Sequence, residues 1–275
     1  MQEKNNRIKS ILNLLNLSKV FTDGTCALRN VSLEIKQGEF TVILGPSGSG
    51  KTTLLRTING LVEQSSGKVL FDGSTVNQQN LTEIRTKIGM VFQHFNLVGN
   101  LSALNNVLTG LLSKSNSFFS ILYLFNRQQK LLALEALDQV GLLSKAFSRT
   151  DQLSGGQQQR VGIARAIVKT PKLILADEPV ASLDPMISFQ VLSLLKEISL
   201  SKGITVLCNL HQVDYALRFA DRVIGLAEGQ IVIDKPKNEI DGEYIKKIYQ
   251  GHDQGLFFGP STEQSGVDDF LSFKP

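Results

Sequence analysis

One stretch constrains the fold more than any other part of this chain: EFTVILGPSGSGKTTLLRTING, residues 39–60. It begins with an apolar, β-branched run, passes through glycines and small polar residues, and ends in a leucine-containing segment with helical spacing. The middle, residues 45–52, fits the pattern G-x-x-x-x-G-K-[ST] at each of its fixed positions. Because ordinary chains match this pattern by chance only about once in a hundred, the stretch predicts a strand, a phosphate-binding loop and a helix.

The residue types in this loop suit phosphate for physical reasons. Small residues let consecutive backbone N–H groups curl around phosphate oxygens without steric clashes, and the positive end of the following helix favours the same anion. We expect Lys51 to reach the β- and γ-phosphates as a point charge and the Thr52 hydroxyl to ligate Mg²⁺. The residues expected to hold a nucleotide in this loop are Gly45, Pro46, Ser47, Gly48, Ser49, Gly50, Lys51, Thr52 and Thr53.

A second segment, LILADEP at residues 173–179, predicts a buried strand that ends in two carboxylates. Adjacent acids at a strand end are costly to desolvate, so a metal ion and a polar substrate explain them well. We expect Asp177 near the Mg²⁺ shell and Glu178 beside the attacking water. Taken by itself, the pattern also suits an ordinary helix start, because helix N-termini favour acids.

A third segment, LSGGQ at residues 153–157, precedes a predicted helix. Ser154 is a plausible N-cap, and Gly155 and Gly156 expose backbone N–H groups. The chain would then contain two anion-binding helix ends, although one nucleotide site does not require two. An ordinary capped helix start is the alternative for this segment alone.

Composition narrows the class of protein. With 275 residues, 42% hydrophobic and 20% charged, the chain can form one large domain or a domain with a sub-domain. Net charge is only +4 and the basic residues are scattered, which disfavours a nucleic-acid partner. Two distant cysteines, Cys26 and Cys208, favour a reducing compartment. The longest apolar run, residues 118–125, is too short to cross a bilayer, so we expect a soluble or peripheral protein.

The pattern along the chain predicts an α/β fold. Strands alternate with helices, which implies a mostly parallel sheet covered on both faces. Residues 12–35 read as antiparallel strands, residues 102–149 as helices without strands, and residues 222–234 as a hairpin. We place one domain at residues 12–249, with a helical sub-domain inserted at about residues 95–170, and an extension of packed or loose chain at residues 250–275.

The segments GPSGSGKT, LSGGQQQR and LILADEP together resemble the ATP-binding subunits of ABC transporters, and the resemblance covers about residues 13–235. It implies a P-loop NTPase core with a flanking antiparallel β region and an inserted all-helical sub-domain. In that family the Ser-Gly-Gly loop of one copy caps the nucleotide held by the other copy. The resemblance therefore implies ATP and Mg²⁺ as ligands and a head-to-tail dimer, in which the nucleotide is contacted in trans by Ser154, Gly155, Gly156 and Gln157.

The same resemblance assigns roles to further positions. Gln93, in MVFQHFNLV, matches the glutamine that contacts Mg²⁺ or the attacking water, and His211, in NLHQVD, matches the histidine that bonds the γ-phosphate. Phe21, in LSKVFTDG, aligns with the aromatic residue that stacks on adenine, although that residue is usually Tyr and Phe21 could equally be core. The catalytic set is then Glu178, His211, Lys51 and Gln93, the Mg²⁺ set is Thr52, Gln93 and Asp177, and the loop facing the opposing subunit is Ser182, Leu183 and Asp184.

The sequence outside the catalytic motifs, such as EPVASLDP and LHQVDYALRFADRVIGL, looks most like the sequences of phosphonate-import ATP-binding subunits. The implied enzyme is an ATP hydrolase that drives import, peripheral on the cytoplasmic face of a bacterial inner membrane. The implied partners are a second copy, two transmembrane permease subunits and a periplasmic or surface substrate-binding protein. Phosphite or phosphate uptake, another small solute, and a soluble ABC ATPase are the alternatives. The last usually carries two such domains or a long coiled coil, and neither is found in this sequence.

Overall fold

The computed structural model describes residues 9–114 and 125–250, which form two sheets and the helices around them. In chain order the strands are β1 (Ser10–Val20), β2 (Cys26–Lys36), β3 (Phe40–Leu44), β4 (Ser66–Phe71), β5 (Ser74–Thr75), β6 (Ile88–Val91), β7 (Leu173–Asp177), β8 (Thr205–Asn209), β9 (Arg222–Ala227) and β10 (Gln230–Pro236). The α-helices are α1 (Lys51–Ile58), α2 (Leu81–Lys87), α3 (Ala103–Leu108), α4 (Arg127–Gln139), α5 (Gly155–Ile167), α6 (Pro185–Lys202), α7 (Val213–Phe219) and α8 (Gly242–Ile248).

The central sheet has the strand order β10-β9-β3-β8-β7-β6. Its neighbours pair in parallel except for the antiparallel β9–β10 hairpin. Every residue of β3, β7 and β8 is buried, as expected of strands covered on both faces. Because parallel strands end at the same edge, the segments that follow β3, β6, β7 and β8 converge there. The predicted α/β core is confirmed.

The flanking sheet is antiparallel and has the order β2-β1-β4-β5. Leu12, Leu14 and Phe71 on this sheet belong to the same apolar cluster as Leu54 and Ile58 of α1. Helix α1 therefore packs beneath the flanking sheet, which gives the phosphate loop ahead of α1 a fixed base. The predicted antiparallel region is confirmed.

The region predicted as a helical insertion contains α3, α4, α5 and short 3₁₀ turns at Thr109–Lys114, Leu143–Lys145 and Thr150–Gln152. Its entry and exit are tied together by the buried Asn106, whose Oδ1 accepts from the Val98 N–H and whose Nδ2 donates to Thr150 Oγ1. Within its described residues the region holds one isolated β-bridge, between Ser102 and Arg149, and no strand. Its boundaries near residues 95 and 170 stay predictions.

Two helices were not predicted. Helix α2 buries only Leu81 and Ile84, and α8 buries only Ile245 and Ile248, so each offers a single apolar pair at helical spacing. The Asp241 cap of α8, which accepts from two backbone N–H groups, was the available signal.

The extension after residue 250 and most of the apolar run at residues 118–125 lie outside the described residues. Across the described ranges, every helix falls short of the length and apolarity needed to span a membrane.

Candidate functional site

Two glycines hold the loop between β3 and α1 against neighbouring backbone. A Cβ atom on Gly45 would lie 2.1 Å from the carbonyl oxygen of Leu226, and one on Gly50 would lie 2.3 Å from that of Ala27. Gly50 also has a φ of 101°, in the left-handed region that glycine adopts at little cost. Larger residues at either position would push the loop away from β9 or β2, so the glycines fix the shape of the cradle.

The Lys51 side chain is folded back over this loop. It is only 4% exposed, and its Nζ donates to the carbonyl oxygens of Gly45 at 2.8 Å and Pro46 at 3.0 Å. Burial lowers the pKa of Lys51, and the nearby charges of Glu178 and Asp177 oppose that shift. The buried Ser49 Oγ has no hydrogen-bond partner within the described part of the chain. A buried cation, an unpaired hydroxyl and a glycine-lined hollow fit a bound phosphate chain.

The Asp177 carboxylate meets the end of the phosphate loop. Its Oδ1 accepts from Thr52 Oγ1 at 2.8 Å and from Asn209 Nδ2 at 2.9 Å. Thr52 and Asp177 thus bring a hydroxyl and a carboxylate together, and these hard oxygen donors suit Mg²⁺. The sequence analysis did not identify Asn209. The usable signal was an amide at the end of a strand that is otherwise mostly apolar and fully buried.

Glu178 and His211 meet at the ends of the neighbouring strands β7 and β8. His211 Nε2 lies 2.5 Å from Glu178 Oε1. This hydrogen bond is the largest cause that lowers the pKa of Glu178, against the opposing effect of its burial. Glu178 has a φ of 49°, uncommon for a residue with a side chain, so the surrounding structure holds it in a strained position. The pair presents an ionised carboxylate that can accept a proton.

The Glu178–His211 pair makes a prediction about acid stability. The folded-state pKa of Glu178 lies below its ordinary value of 4.5, so its stabilising effect is present above that value and is lost as pH falls through the folded-state pKa. His211→Ala removes the main cause of the lowering. The free-energy advantage of wild type over this variant should therefore shrink as pH falls from about 6 to about 3, in urea unfolding experiments. An advantage independent of pH would contradict it.

Gln93 lies just after β6, at the same edge of the sheet, and its side chain is half-buried. The adjacent His94 is close enough for its charge to contribute to the lowered pKa of Glu178. The turn that carries Gln93 therefore lies on the Glu178 side of the site. Arg165 of α5 donates to the carbonyl oxygens of Phe95 and Asn96 and so connects this turn to the helical region.

The LSGGQ segment forms the start of α5 through a reciprocal capping box. Ser154 Oγ accepts from the Gln157 N–H at 3.4 Å, and Gln157 Oε1 accepts from the Ser154 N–H at 3.1 Å. In the described part of the chain, the hydrogen bonds of these two side chains stay within the helix start. They give no link to the phosphate loop of the same chain.

Gly155 packs against the loop that follows β7, and Gly156 packs against the first turn of α6. A Cβ atom on Gly156 would lie 2.4 Å from Ile187 Cγ2, and one on Gly155 would lie 3.2 Å from Leu183 Cδ2. Asp184 caps α6, since its Oδ1 accepts from the Ile187 N–H at 3.0 Å. Ser182 and Asp184 are exposed and Leu183 is half-buried. The structure thus brings the LSGGQ helix start and the loop at residues 182–184 together in one surface.

Phe21 lies in the turn between β1 and β2. Its ring is 38% exposed, and the Lys19 ammonium is 5.1 Å from the ring centroid. The ring therefore lies outside the apolar core and has a face that a planar ligand can contact.

Tyr249, immediately after α8, links two parts of the site. Its phenol donates to the His211 carbonyl oxygen at 3.4 Å and lies close to the backbone of Gly45. The side chain is fully buried, and burial raises its pKa, so it is held neutral. Sequence reasoning missed Tyr249 because it missed the helix that positions it.

Comparisons with known proteins agree with this architecture. A family model described as "ABC transporter" matches residues 28–181. The phosphonates import ATP-binding protein PhnC of Thiobacillus denitrificans is 52% identical over 241 residues, 88% of this chain and 93% of that protein. The protein of the same name from Hydrogenovibrio crunogenus is 45% identical over 259 residues, 94% of this chain and 95% of that protein.

Solved structures resemble the fold as well. A dimeric ATP-binding cassette in a post-hydrolysis state, bound to ADP and Pi, superposes with a TM-score of 0.73 and 38% identity, over 84% of this chain and all of that chain. A nucleotide-free ATP-binding cassette from an ABC transporter gives a TM-score of 0.79 and 28% identity, over 89% of this chain and all of that chain.

Proposed function

Because this chain belongs to the ABC transporter family, we propose that it is the ATP-hydrolysing, energy-coupling subunit of an importer for phosphonates. The observation that carries the proposal is the convergence of the glycine-lined cradle, Lys51, Asp177 and the Glu178–His211 pair at one sheet edge. Identity of 45–52% with phosphonates import ATP-binding proteins over most of the chain supports the solute class.

Nucleotide binding uses the loop between β3 and α1. Backbone N–H groups there and the positive end of α1 would surround the phosphates. Lys51 would exchange its two carbonyl partners for phosphate oxygens, which are stronger acceptors because they are charged. The exposed face of Phe21 would stack on adenine.

Thr52, Asp177 and Gln93 are the residues that would hold Mg²⁺. The ion, when bound, would offset negative charge on the phosphate oxygens. Thr52 and Asp177 already lie 2.8 Å apart through oxygen atoms, so these two donors need little rearrangement. Gln93 would bring an amide oxygen from the turn after β6.

Hydrolysis needs a group that removes a proton from water. Glu178 would accept that proton, because its carboxylate lies at the end of β7 beside the phosphate loop and contacts His211. His211 would orient Glu178 in the absence of nucleotide and would hydrogen-bond the γ-phosphate once ATP is present. Strand ends fix both residues, so little reorganisation accompanies the step.

A second copy of the chain would complete each site. The capped start of α5 offers N–H groups for an anion, yet its own polar contacts are local. In a head-to-tail dimer this segment of one copy would cover the nucleotide held by the other, with the loop at residues 182–184 beside it. Dimeric ATP-binding cassettes among the structural relatives support this arrangement.

Variants of two similar helix caps can distinguish a role of Ser154 in the nucleotide site from a role in helix capping alone. Ser154 and Asn126 both begin helices through a capping box. Ser154→Ala and Asn126→Ala should each cost about 1 kcal/mol of stability. Only Ser154→Ala should lower ATP hydrolysis beyond what its stability loss explains. Urea unfolding and steady-state phosphate release measure the two quantities, and equal hydrolysis by both variants would remove Ser154 from the site.

Coupling to membrane partners would use the cleft beside the Gln93 turn. This cleft has a volume of about 230 Å³ and lies between the core and the helical region; it is lined by Arg85, Met90, Phe92, Thr109, Gly110, Arg165, Ala166 and Lys169. A cytoplasmic segment of a permease seated there would sense movement of the helical region relative to the sheet. This assignment places the protein at the inner face of a bacterial cell membrane, with two permease subunits and a substrate-binding protein.

Transport by the reconstituted complex tests the function. Proteoliposomes that contain this chain, its permease and its binding protein should accumulate methylphosphonate only with ATP inside, and Lys51→Ala should abolish the accumulation. Phosphite and phosphate, tested in parallel, address the two related solutes. Uptake of either of these without methylphosphonate would overturn the phosphonate assignment. ATP hydrolysis that addition of the permease and binding protein leaves unchanged would favour a soluble ABC ATPase.

A further inference from the structure

An amide is buried at the end of β8, beside the carboxylate expected to hold Mg²⁺. Asn209 is 0% exposed and pairs with Ile43 of β3 on one side and Asp177 of β7 on the other. Its Nδ2 donates to Asp177 Oδ1 at 2.9 Å, but its Oδ1 has no hydrogen-bond partner among the described residues. A buried oxygen without a partner destabilises the fold, so its presence calls for a reason.

Turning the amide over does not satisfy both atoms. The reversed orientation would place Oδ1 against Asp177 Oδ1, and two acceptors would then face each other without a proton between them. The carboxylate therefore dictates which way Asn209 points. Its oxygen is left for a partner that this chain does not supply from its described residues.

Asn209 also decides how Asp177 is presented. The hydrogen bonds from Thr52 and Asn209 both reach Oδ1 of Asp177, at 2.8 and 2.9 Å. Two donors on one oxygen restrict rotation of the carboxylate and direct its other oxygen elsewhere. Groups that orient a metal ligand in this way tune metal affinity without touching the metal.

We propose that Asn209 is a positioning residue of the Mg²⁺ site. Its Nδ2 orients Asp177, and its Oδ1, which has no partner among the described residues, would accept a hydrogen bond from water in the hydrated Mg²⁺ site. The inference rests on the proposed function, since it requires that MgATP binds beside Thr52 and Asp177. What distinguishes Asn209 from other buried amides is its direct hydrogen bond to Asp177.

Thermal unfolding of the full chain tests the proposal without relying on hydrolysis. The midpoint is measured at fixed ATP while MgCl₂ is titrated, and again with ATP in excess EDTA. Asn209→Val should raise the Mg²⁺ concentration for half-maximal stabilisation about tenfold or more, with the shift caused by ATP in EDTA unchanged. Asn209→Ala replaces Asn209→Val if valine does not fit, and Asn209→Thr, whose hydroxyl can donate to Asp177 and accept from water, should return most of the Mg²⁺ response.

A matched control exists at the far end of α1. Asn59 is also buried and also has an Oδ1 without a partner in the described residues, so Asn59→Ala should leave the Mg²⁺ response at its wild-type value. A wild-type response in Asn209→Val and Asn209→Ala would overturn the proposal, and so would an equal loss of ATP binding in EDTA. Failure of the wild-type chain to respond to MgATP would instead overturn the proposed function.

Discussion

Glu178→Gln is expected to bind ATP as wild type does and to lose about 10²–10⁴-fold in turnover, the usual contribution of a general base. The amide keeps the shape of the carboxylate but cannot accept a proton from water. ATP would therefore persist between two copies, and the variant should accumulate as an ATP-dependent dimer. Phosphate release measures the first effect, and light scattering with and without ATP measures the second.

The control for this variant is Glu83→Gln. Glu83 is an exposed carboxylate on α2 that is paired with Lys87 at 2.6 Å, so the substitution makes the same chemical change away from the site. It should hydrolyse ATP at the wild-type rate. Near-normal turnover by Glu178→Gln would show that another group activates water, and Glu178 would lose its catalytic role.

Lys51→Ala and Ser154→Arg should each abolish hydrolysis alone, and a mixture of the two should recover it in part. In a head-to-tail dimer, the mixed pair contains one site with both defects and one site with none. Equal mixing makes half of the dimers mixed, so activity should return to about a quarter of the wild-type value if the two sites act independently. Phosphate release from the mixture, against each variant alone, measures this recovery.

The arginine at residue 154 could act through loss of the helix cap instead. Asn126→Arg removes the equivalent cap of α4 and should retain most of its activity. When Asn126→Arg is mixed with Lys51→Ala, activity should come only from sites whose phosphate loop belongs to the Asn126→Arg chain. No recovery in the Lys51→Ala and Ser154→Arg mixture would contradict independent sites that each span two chains.

Much of this fold could be predicted because its central strands are mostly apolar and fully buried. The strands β3, β7 and β8 are buried at every position, so their sequences stand out as runs of apolar residues bounded by turns. The phosphate loop could be predicted because its glycines are required by close approach to other backbone, as at Gly45 and Gly50. The carboxylates Asp177 and Glu178 follow from their place at a strand end.

Asn209 and Tyr249 could not be predicted in the same way, because their surroundings come from distant parts of the chain. Asn209 is distinguished by its contact with Asp177, 32 residues away. Tyr249 follows α8, a helix whose two buried residues form too short a pattern to identify it. The packing of Gly155 and Gly156 on Leu183 and Ile187 was likewise hidden, since the glycines suit an exposed anion site equally well.

The contact of Tyr249 with Gly45 has a consequence for synthesis of the protein. Roughly 200 residues separate the two, so at about 5–20 residues per second the ribosome completes the phosphate loop some 10–40 s before the residue that supports it. Strand β3 also waits for its partners β8 and β9, which are made before Tyr249 but long after β3 itself. Binding stabilises only a folded site, so ATP can stabilise the finished chain but cannot assist the growing one, whose β3 is open to unwanted pairing until β8 and β9 are made.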